Sequence, residues 1–338
     1  MNKTFTAKKF ETVSAGKLRF NERQLLDLER IVKENYNNMN GIIIVKDGYI
    51  AYEKYFNGFN SKDTFHVTSV TKSVLSALIG IAIDKSYIQS ENQRVLDFFP
   101  EYSYDMLCPN KDKVTIHNLL TMTAPYPFEN WKEPLEKLCT SPDWIKYTLD
   151  TLGQNGEIGE FKYSTAGAHL LSAILTRSTH KSAREFANEF LFNPLGIDKI
   201  PDYKINEFGY EELFGKKVKG WVNDPYGNST GGWGLTLSVR DMAKIGLLYL
   251  NKGRWENRQI ISNHWIDKSV KANSNNYGYL WWLFHYDGLN AFSAMGDGGN
   301  AICVIPEKQL VIAIASKVII NAKDRWEFIK AYILPALF

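Results

Sequence analysis

Cysteine and long hydrophobic runs are both scarce in this sequence. The 338 residues include three cysteines, Cys108, Cys139 and Cys303, which are far apart and belong to no Cys-x-x-Cys or cysteine–histidine pattern. Neither a disulfide framework nor a zinc site is therefore indicated. The longest apolar run, residues 74–83, is too short to cross a membrane, because a spanning helix needs about 20 apolar residues.

An excess of charge of one sign is also lacking. Lys and Arg number 40 against 37 Asp and Glu, and no block of basic residues stands out. Nucleic acid and membrane are therefore not expected as partners. Residues 1–20 are polar and lack the apolar segment of a signal peptide, so the expected location is cytoplasmic.

The histidines form no recognisable metal motif such as His-Glu-x-x-His, and each is interpreted as structural. No metal and no other cofactor is expected. The six histidines are His66, His117, His169, His180, His264 and His285.

The most informative stretch is Ser69-Val70-Thr71-Lys72, which opens the apolar run 70–83. In a helix, residues three apart lie on one face with Cβ atoms about 5–6 Å apart. Lysine is almost never fully buried unless paired, and burial favours the neutral amine that accepts a proton from serine. The spacing therefore indicates a serine nucleophile beside its base.

The Ser-x-x-Lys pattern alone is weak, because the chain contains two further copies, Ser14/Lys17 and Ser178/Lys181, in polar surroundings. For Ser69 and Lys72, the structural alternative is that the serine caps the helix and the lysine extends to solvent. Motifs of this kind need structural context before they indicate catalysis.

Strand patterns occur at both ends of the chain and helical patterns in the middle. Strands are predicted over 41–45, 49–56, 277–284, 291–295, 300–305 and 310–316. Helices are predicted over 21–36, 70–83, 144–152, 166–176, 239–250 and 324–333. Short, mostly helical pieces are predicted over 95–102 and 114–122, whereas 196–235 and the part of 124–160 outside the helix are expected to be mainly loop.

This order favours an α+β fold. The terminal strands would pair into one antiparallel sheet flanked by the first and last helices, with an inserted helical lobe. We expect one unit of two lobes over residues 1–338: 1–66 with 270–338 as the sheet lobe, and 67–269 as the mainly helical lobe. The cleft between the lobes is the natural site.

Two further motifs are candidates for the chemistry. Tyr163 precedes the helix 166–176 and is a second candidate base, because a nearby Lys72 cation would favour its ionised form. Gly296-Asp297-Gly298 precedes the strand 300–305 and would let backbone amides approach an oxyanion. Taken singly, the tyrosine reads better as packing and the glycines as a turn.

Together these motifs resemble the serine β-lactamase and penicillin-binding-protein family, especially its class C-like esterases and aminohexanoate-oligomer hydrolases. Residues 95–102, 114–122 and 231–241 are also similar to the family, and the resemblance covers about 41–316. It implies a β-lactamase/transpeptidase-like fold.

By that resemblance, Ser69 is the acylated nucleophile and Lys72 its proton partner. Tyr163 is a second base, and the amides of Ser69 and Asp297 form the oxyanion hole. Which of the lysine and the tyrosine is the acylation base stays open. Thr165, Gly296 and Gly298 belong to the same matched motifs and are candidate oxyanion or substrate-binding residues.

Two positions depart from the family pattern. Ala294 stands where lysine or histidine is frequent, and Thr165 stands where asparagine is frequent. Both departures favour an uncharged ester or amide over a carboxylate-bearing β-lactam or D-Ala-D-Ala peptide. Two interpretations are open for the tryptophans, an apolar acyl pocket or the hydrophobic core: Trp131, Trp221, Trp233, Trp281 and Trp282.

The predicted function is therefore a serine hydrolase that acts on a small ester or amide through an acyl-enzyme. The alternatives are a β-lactamase or D-Ala-D-Ala carboxypeptidase, and a sensor that is acylated once without turnover. A rival nucleophile is Ser229, in a Gly-x-Ser-x-Gly match, with Asp241 and His264. Its flanks lack the strand and helix that this elbow requires.

Overall fold

Six strands form one antiparallel sheet in the computed structural model, which describes residues 11–103, 110–205, 209 and 218–338. The described residues contain these six strands and six short ones that form three two-stranded sheets. All twelve, in chain order, are β1 (Met39–Lys46), β2 (Tyr49–Tyr55), β3 (Phe65–His66), β4 (Asp202–Lys204), β5 (Trp221–Asn223), β6 (Thr236–Leu237), β7 (Arg254–Trp255), β8 (Arg258–Gln259), β9 (Trp282–Tyr286), β10 (Leu289–Gly296), β11 (Asn300–Ile305) and β12 (Leu310–Ser316). The sheet order is β2-β1-β12-β11-β10-β9. Strands from both ends of the chain therefore pair, which confirms the predicted antiparallel sheet.

Most of the helices in the described residues lie between β2 and β9, with one before β1 and one after β12. The helices are α1 (Glu22–Asn35), α2 (Val70–Asp84), α3 (Ile116–Leu120), α4 (Leu135–Thr140), α5 (Trp144–Thr151), α6 (Thr165–Thr179), α7 (Ala183–Ala187), α8 (Val239–Leu250), α9 (Asn263–Ser269) and α10 (Arg325–Phe328). Helix α2 packs on α6, and both begin at predicted site motifs. Helix α8 packs against β1, β11 and β12, although it belongs to the segment 67–269 that was expected to form the helical lobe. The division into two lobes therefore stays a prediction.

The sheet is buried on both faces. Alternate side chains of a strand point to opposite faces, and the central strands are apolar at nearly every position. One face packs with α1 and the C-terminal helix through Ile42, Ile44, Leu310, Ile312 and Ile314. The other packs with α2 and α8 through Ile43, Val45, Val311, Ala313 and Ala315.

Local sequence signals account for several boundaries. Asp47 and Gly48 have φ of 52° and 81°, as the tight turn of the predicted β1–β2 hairpin requires. The Asn21 side chain accepts a hydrogen bond from the Gln24 amide and caps α1. Helix α2 extends one residue beyond the predicted 70–83, and α8, β11 and β12 match their predicted bounds.

The prediction of a strand over 277–284 was wrong in its first half, because β9 begins at Trp282. Leu280 has a φ of 61°, and the Tyr279 amide donates to the Ser269 carbonyl rather than to a strand. Tyr277 is nevertheless 1% exposed. Its burial in an irregular segment produces the alternating apolar pattern that predicted a strand.

Two further expectations concern cysteines and the membrane. Cys139 and Cys303 are buried free thiols, whereas Cys108 and, within 196–235, residues 206–208 and 210–217 lie outside the described residues. None of the helices in the described ranges is long and apolar enough to span a bilayer. Within the same ranges, no group of three or more His, Cys, Asp or Glu side chains is arranged to hold a metal.

His66, on β3, links the fold to pH. It is 8% exposed, and its Nε2 accepts a hydrogen bond of 3.0 Å from the Gly234 amide. Burial lowers the pKa of His66 from 6.5 to about 3. Below pH 6.5, the unfolded chain therefore binds a proton at this histidine while the folded protein keeps it neutral. The free energy of unfolding consequently decreases as the pH falls from 6.5 toward 3.

We expect His66→Gln to flatten the pH dependence of the free energy of unfolding between pH 6.5 and 3. The slope should fall by up to about 1.4 kcal/mol per pH unit relative to the wild type. Urea unfolding across that range measures it, with exposed His285→Gln as the control. Equal slopes for His66→Gln and the wild type would contradict the prediction.

Candidate active site

The residue that opens α2 does not behave as a helix cap. Ser69 occupies the N-cap position, but its side chain makes no capping hydrogen bond. Its Oγ instead lies 3.1 Å from the Lys72 Nζ, one helical turn along α2. The structural alternative of a capping serine is therefore wrong, and the half-buried hydroxyl is directed toward the lysine.

Lys72 is buried and surrounded by oxygen atoms. The residue is 1% exposed, so its side chain does not extend to solvent. Its Nζ donates to the Gly232 carbonyl at 2.8 Å and to the Thr165 Oγ1 at 3.3 Å, in addition to its contact with Ser69. These three acceptors match the three N–H donors of an ammonium group.

The third side chain around the ammonium is Tyr163, just before α6. The Lys72 Nζ lies 4.7 Å from the centroid of this ring, within the range of a cation–π interaction. The ring also stacks on Trp131, with centroids 4.7 Å apart, and on Trp282, at 5.8 Å. The structure thus brings Ser69, Lys72, Tyr163 and Thr165 together, as the sequence predicts.

The backbone just before the serine is strained. Thr68 has a φ of 49°, which is unusual for a β-branched residue. Its Oγ1 donates to the Val67 carbonyl at 2.8 Å and to the Asp297 carbonyl at 3.3 Å. Strain of this kind persists where the surroundings hold it, often at functional sites.

The end of β10 lies directly against this strained turn. A Cβ added to Gly296 would lie 2.1 Å from the Thr68 Oγ1 and 3.1 Å from the Ser69 amide nitrogen. Only glycine allows such an approach, which places the backbone leading to Asp297 beside the Ser69 amide. The Ser69 amide and the backbone that follows Gly296 are therefore the candidate donors to an oxyanion.

Gly298 was expected to bind the oxyanion or the substrate, whereas its observed hydrogen bonds hold the turn in place. It has a φ of 80°, and its carbonyl accepts hydrogen bonds from the Asn38 Nδ2 at 2.7 Å and the Arg325 guanidinium at 3.2 Å. Arg325 is 1% exposed, and burial lowers its pKa to about 10. These contacts hold the turn from the side of the sheet opposite α2.

Ala294 lies on β10, two residues before Gly296, and is fully buried at 0% exposure. It pairs with Ile302 of β11. A buried methyl group therefore stands where the resembled family often carries a cation.

Sequence reasoning missed Glu133. Its carboxylate accepts hydrogen bonds from the amides of Thr165, at 2.5 Å, and Ala166, at 2.7 Å. Burial raises the pKa of Glu133, while these amides and Lys72 act in the opposite direction. The residue lies some thirty positions before the motif that it contacts, in a segment with no periodic pattern, so no sequence signal was available.

The rival elbow is not assembled. Ser229 is 0% exposed, and its Oγ accepts a hydrogen bond from the Arg184 amide at 3.1 Å. Asp241 caps α8 through Ser238, with 2.6 Å between the Ser238 Oγ and the carboxylate, and His264 is exposed. The three rival residues therefore have separate local environments.

A serine beside a buried lysine, between an antiparallel sheet and a group of helices, is the arrangement of a serine acyl-transfer hydrolase. The family model described as Beta-lactamase matches residues 30–325. The chain therefore belongs to the Beta-lactamase family, whose members are serine hydrolases.

Individual relatives are distant. The chain is 22% identical to the 6-aminohexanoate-dimer hydrolase of Paenarthrobacter ureafaciens over 86% of this chain and 74% of that protein. A penicillin-binding protein homologue from Pyrococcus abyssi, described as octameric, superposes with a TM-score of 0.67 at 22% identity, over 96% of this chain and 78% of that one. A family VIII carboxylesterase gives a TM-score of 0.69 at 17% identity, over 96% and 99%. These structures confirm the predicted fold.

We expect Gly296→Ala to lower kcat/KM for an activated ester by about 10²–10³, the usual loss when one oxyanion donor is removed. The added Cβ would displace the backbone from the Ser69 turn. Gly209→Ala is the matched control, because no atom of the residues that the structure describes lies within 4 Å of its added Cβ. A folded Gly296→Ala enzyme with wild-type kcat/KM would rule out this reading of the turn.

Proposed function

We propose that this chain hydrolyses small, uncharged esters or amides through an acyl-enzyme on Ser69. The observation that carries the proposal is the 3.1 Å contact between the Ser69 Oγ and the buried Lys72 Nζ. No capping bond competes for the hydroxyl. A serine needs a nearby base and oxyanion donors to become a nucleophile, and the contact with Lys72 and the close approach of Gly296 to the Ser69 amide support both roles.

The proposed reaction has two steps. The Ser69 Oγ bonds to the carbonyl carbon while its proton passes to the base, which is either Tyr163 as the phenolate or Lys72 as the neutral amine, and the amides of Ser69 and Asp297 stabilise the oxyanion. The carbon–oxygen or carbon–nitrogen bond then breaks, and the leaving group takes that proton from the base. In the second step water attacks the acyl carbon and gives a proton to the base; the bond to the Ser69 Oγ then breaks, the acid is released, and the base passes the water's proton to Ser69.

Two features support an uncharged substrate. The fully buried Ala294 offers no cation for a substrate carboxylate. Trp131 is 63% exposed and stacks within 5.7 Å of Trp282, so an apolar aromatic surface adjoins Tyr163. Such surfaces favour apolar groups over charged ones.

The names of the relatives fit this chemistry. A dimer hydrolase of aminohexanoate units and a carboxylesterase cleave an amide and an ester respectively. Turnover of a β-lactam or a D-Ala-D-Ala peptide is the alternative that Ala294 disfavours. The cytoplasmic location, the two-lobe division and the absence of nucleic-acid and membrane partners stay predictions.

Ser69→Ala should abolish covalent labelling by a fluorophosphonate, because the reagent bonds to the activated hydroxyl. Intact-mass and peptide mass spectrometry should place a single adduct on Ser69 in the wild type. Ser229→Ala is the control and should label normally. An adduct on another residue, or labelling that persists in Ser69→Ala, would contradict the proposal. Labelling without steady-state hydrolysis would support the acylated sensor instead.

Substrate charge gives an independent test. Among paired nitrophenyl esters of equal length, the ester with a neutral acyl chain should exceed the one with a terminal carboxylate in kcat/KM by at least about 10-fold, a difference of about 1.4 kcal/mol. A linear amide and a chromogenic cephalosporin complete the panel. Preference for the carboxylate ester or the cephalosporin would reverse the substrate assignment.

A further inference from the structure

A four-residue segment, 130–133, surrounds the motif that carries Tyr163. The Asn130 Oδ1 accepts a hydrogen bond of 3.0 Å from the Tyr163 amide, and Trp131 stacks on its ring. Glu133 then accepts from the amides of Thr165 and Ala166. The backbone and the ring of this motif are therefore both fixed by one loop.

The Glu133 carboxylate uses both of its oxygens on the start of α6. The Thr165 amide donates to Oε2, while the Ala166 amide and the Ser164 Oγ, at 3.3 Å, donate to Oε1. A negative charge is stabilised at a helix N-terminus, where amides lack helical partners. Hydrogen bonds to an ionised group are about twice as strong as neutral ones.

Glu133 is also linked to the buried amine. The Lys72 Nζ donates to the Thr165 Oγ1, and the backbone amide of the same threonine donates to the Glu133 carboxylate. One residue therefore contacts the buried amine through its hydroxyl and the carboxylate through its amide. The threonine that departs from the family pattern thereby connects the lysine to a counter-charge.

We propose that Glu133 is a positioning residue of this hydrolase. In its ionised form, it fixes Tyr163 and Thr165 around Lys72 and provides the negative charge that balances the buried ammonium. Protonation removes that charge and weakens both functions. The inference rests on the proposed acyl transfer at Ser69.

The groups facing Glu133 leave it as the group that titrates at acid pH. Lys72 of α2 is its cationic neighbour. Tyr126, Cys139 of α4 and Tyr147 of α5 also interact with its charge, and burial raises the pKa of all three above their ordinary values. These three groups are therefore neutral throughout the acid range.

The test is the pH profile of kcat and KM for a neutral nitrophenyl ester. In the wild type, kcat should fall as the pH drops through the raised pKa of Glu133, with KM nearly constant. Glu133→Gln should lower kcat on the order of 10²-fold at neutral pH, the usual cost of a misplaced catalytic group, and should remove this acid limb. Glu133→Asp keeps the charge and should retain the limb.

Glu129→Gln is the matched control, because Glu129 lies on the same stretch in an exposed ion pair with Lys132. It should keep the wild-type profile. A Glu133→Gln enzyme with wild-type kcat and an unchanged acid limb would overturn the inference. If Glu133→Gln does not fold, Glu133→Asp provides the test. Its shorter side chain should shift the midpoint pH of the acid limb of kcat, and an unchanged midpoint would also overturn the inference.

Fluorophosphonate labelling separates the two proposals. Wild-type enzyme that labels on Ser69 while the Glu133 variants keep normal profiles refutes the positioning inference alone. Wild-type enzyme that fails to label on Ser69 refutes the proposed function, and the positioning inference with it.

Discussion

The burial of one ammonium group constrains the arrangement of the whole site. Removing a charge from water costs several kcal/mol unless hydrogen bonds and a counter-charge offset it. Lys72 meets that requirement with oxygens from α2, from the start of α6 and from the loop at Gly232. These three segments must converge for the lysine to be buried, and their convergence places Ser69 beside Tyr163.

A second constraint comes from backbone geometry. Thr68 holds a left-handed conformation, and Gly296 approaches it so closely that no side chain fits between them. The Thr68 hydroxyl joins the two segments through the Asp297 carbonyl. The turn before Ser69 and the end of β10 therefore stabilise one another, and the end of β10 is held close to the Ser69 amide.

The sequence predicted the parts of the site that depend on local spacing. Ser69 and Lys72 meet because they are three residues apart on a helix, and the apolar pattern of 70–83 predicts that helix. Predictions based on alternation failed at 277–281, where aromatic burial follows tertiary packing. Glu133 was invisible for the same reason, since only the folded chain brings it to the start of α6.

The polar groups near Ser69 are largely engaged with one another. Lys72 is shared among three oxygens, Glu133 is occupied by the start of α6, and Arg325 is turned toward the Asn38 side of the sheet. At the proposed site, a substrate would meet backbone amides, the faces of Trp131 and Tyr163, and the exposed side chain of Asp297. Amides recognise the carbonyl common to every ester and amide, so under this proposal discrimination among substrates falls to the shape of the aromatic surface. The proposed site would therefore distinguish substrates mainly by their apolar portion.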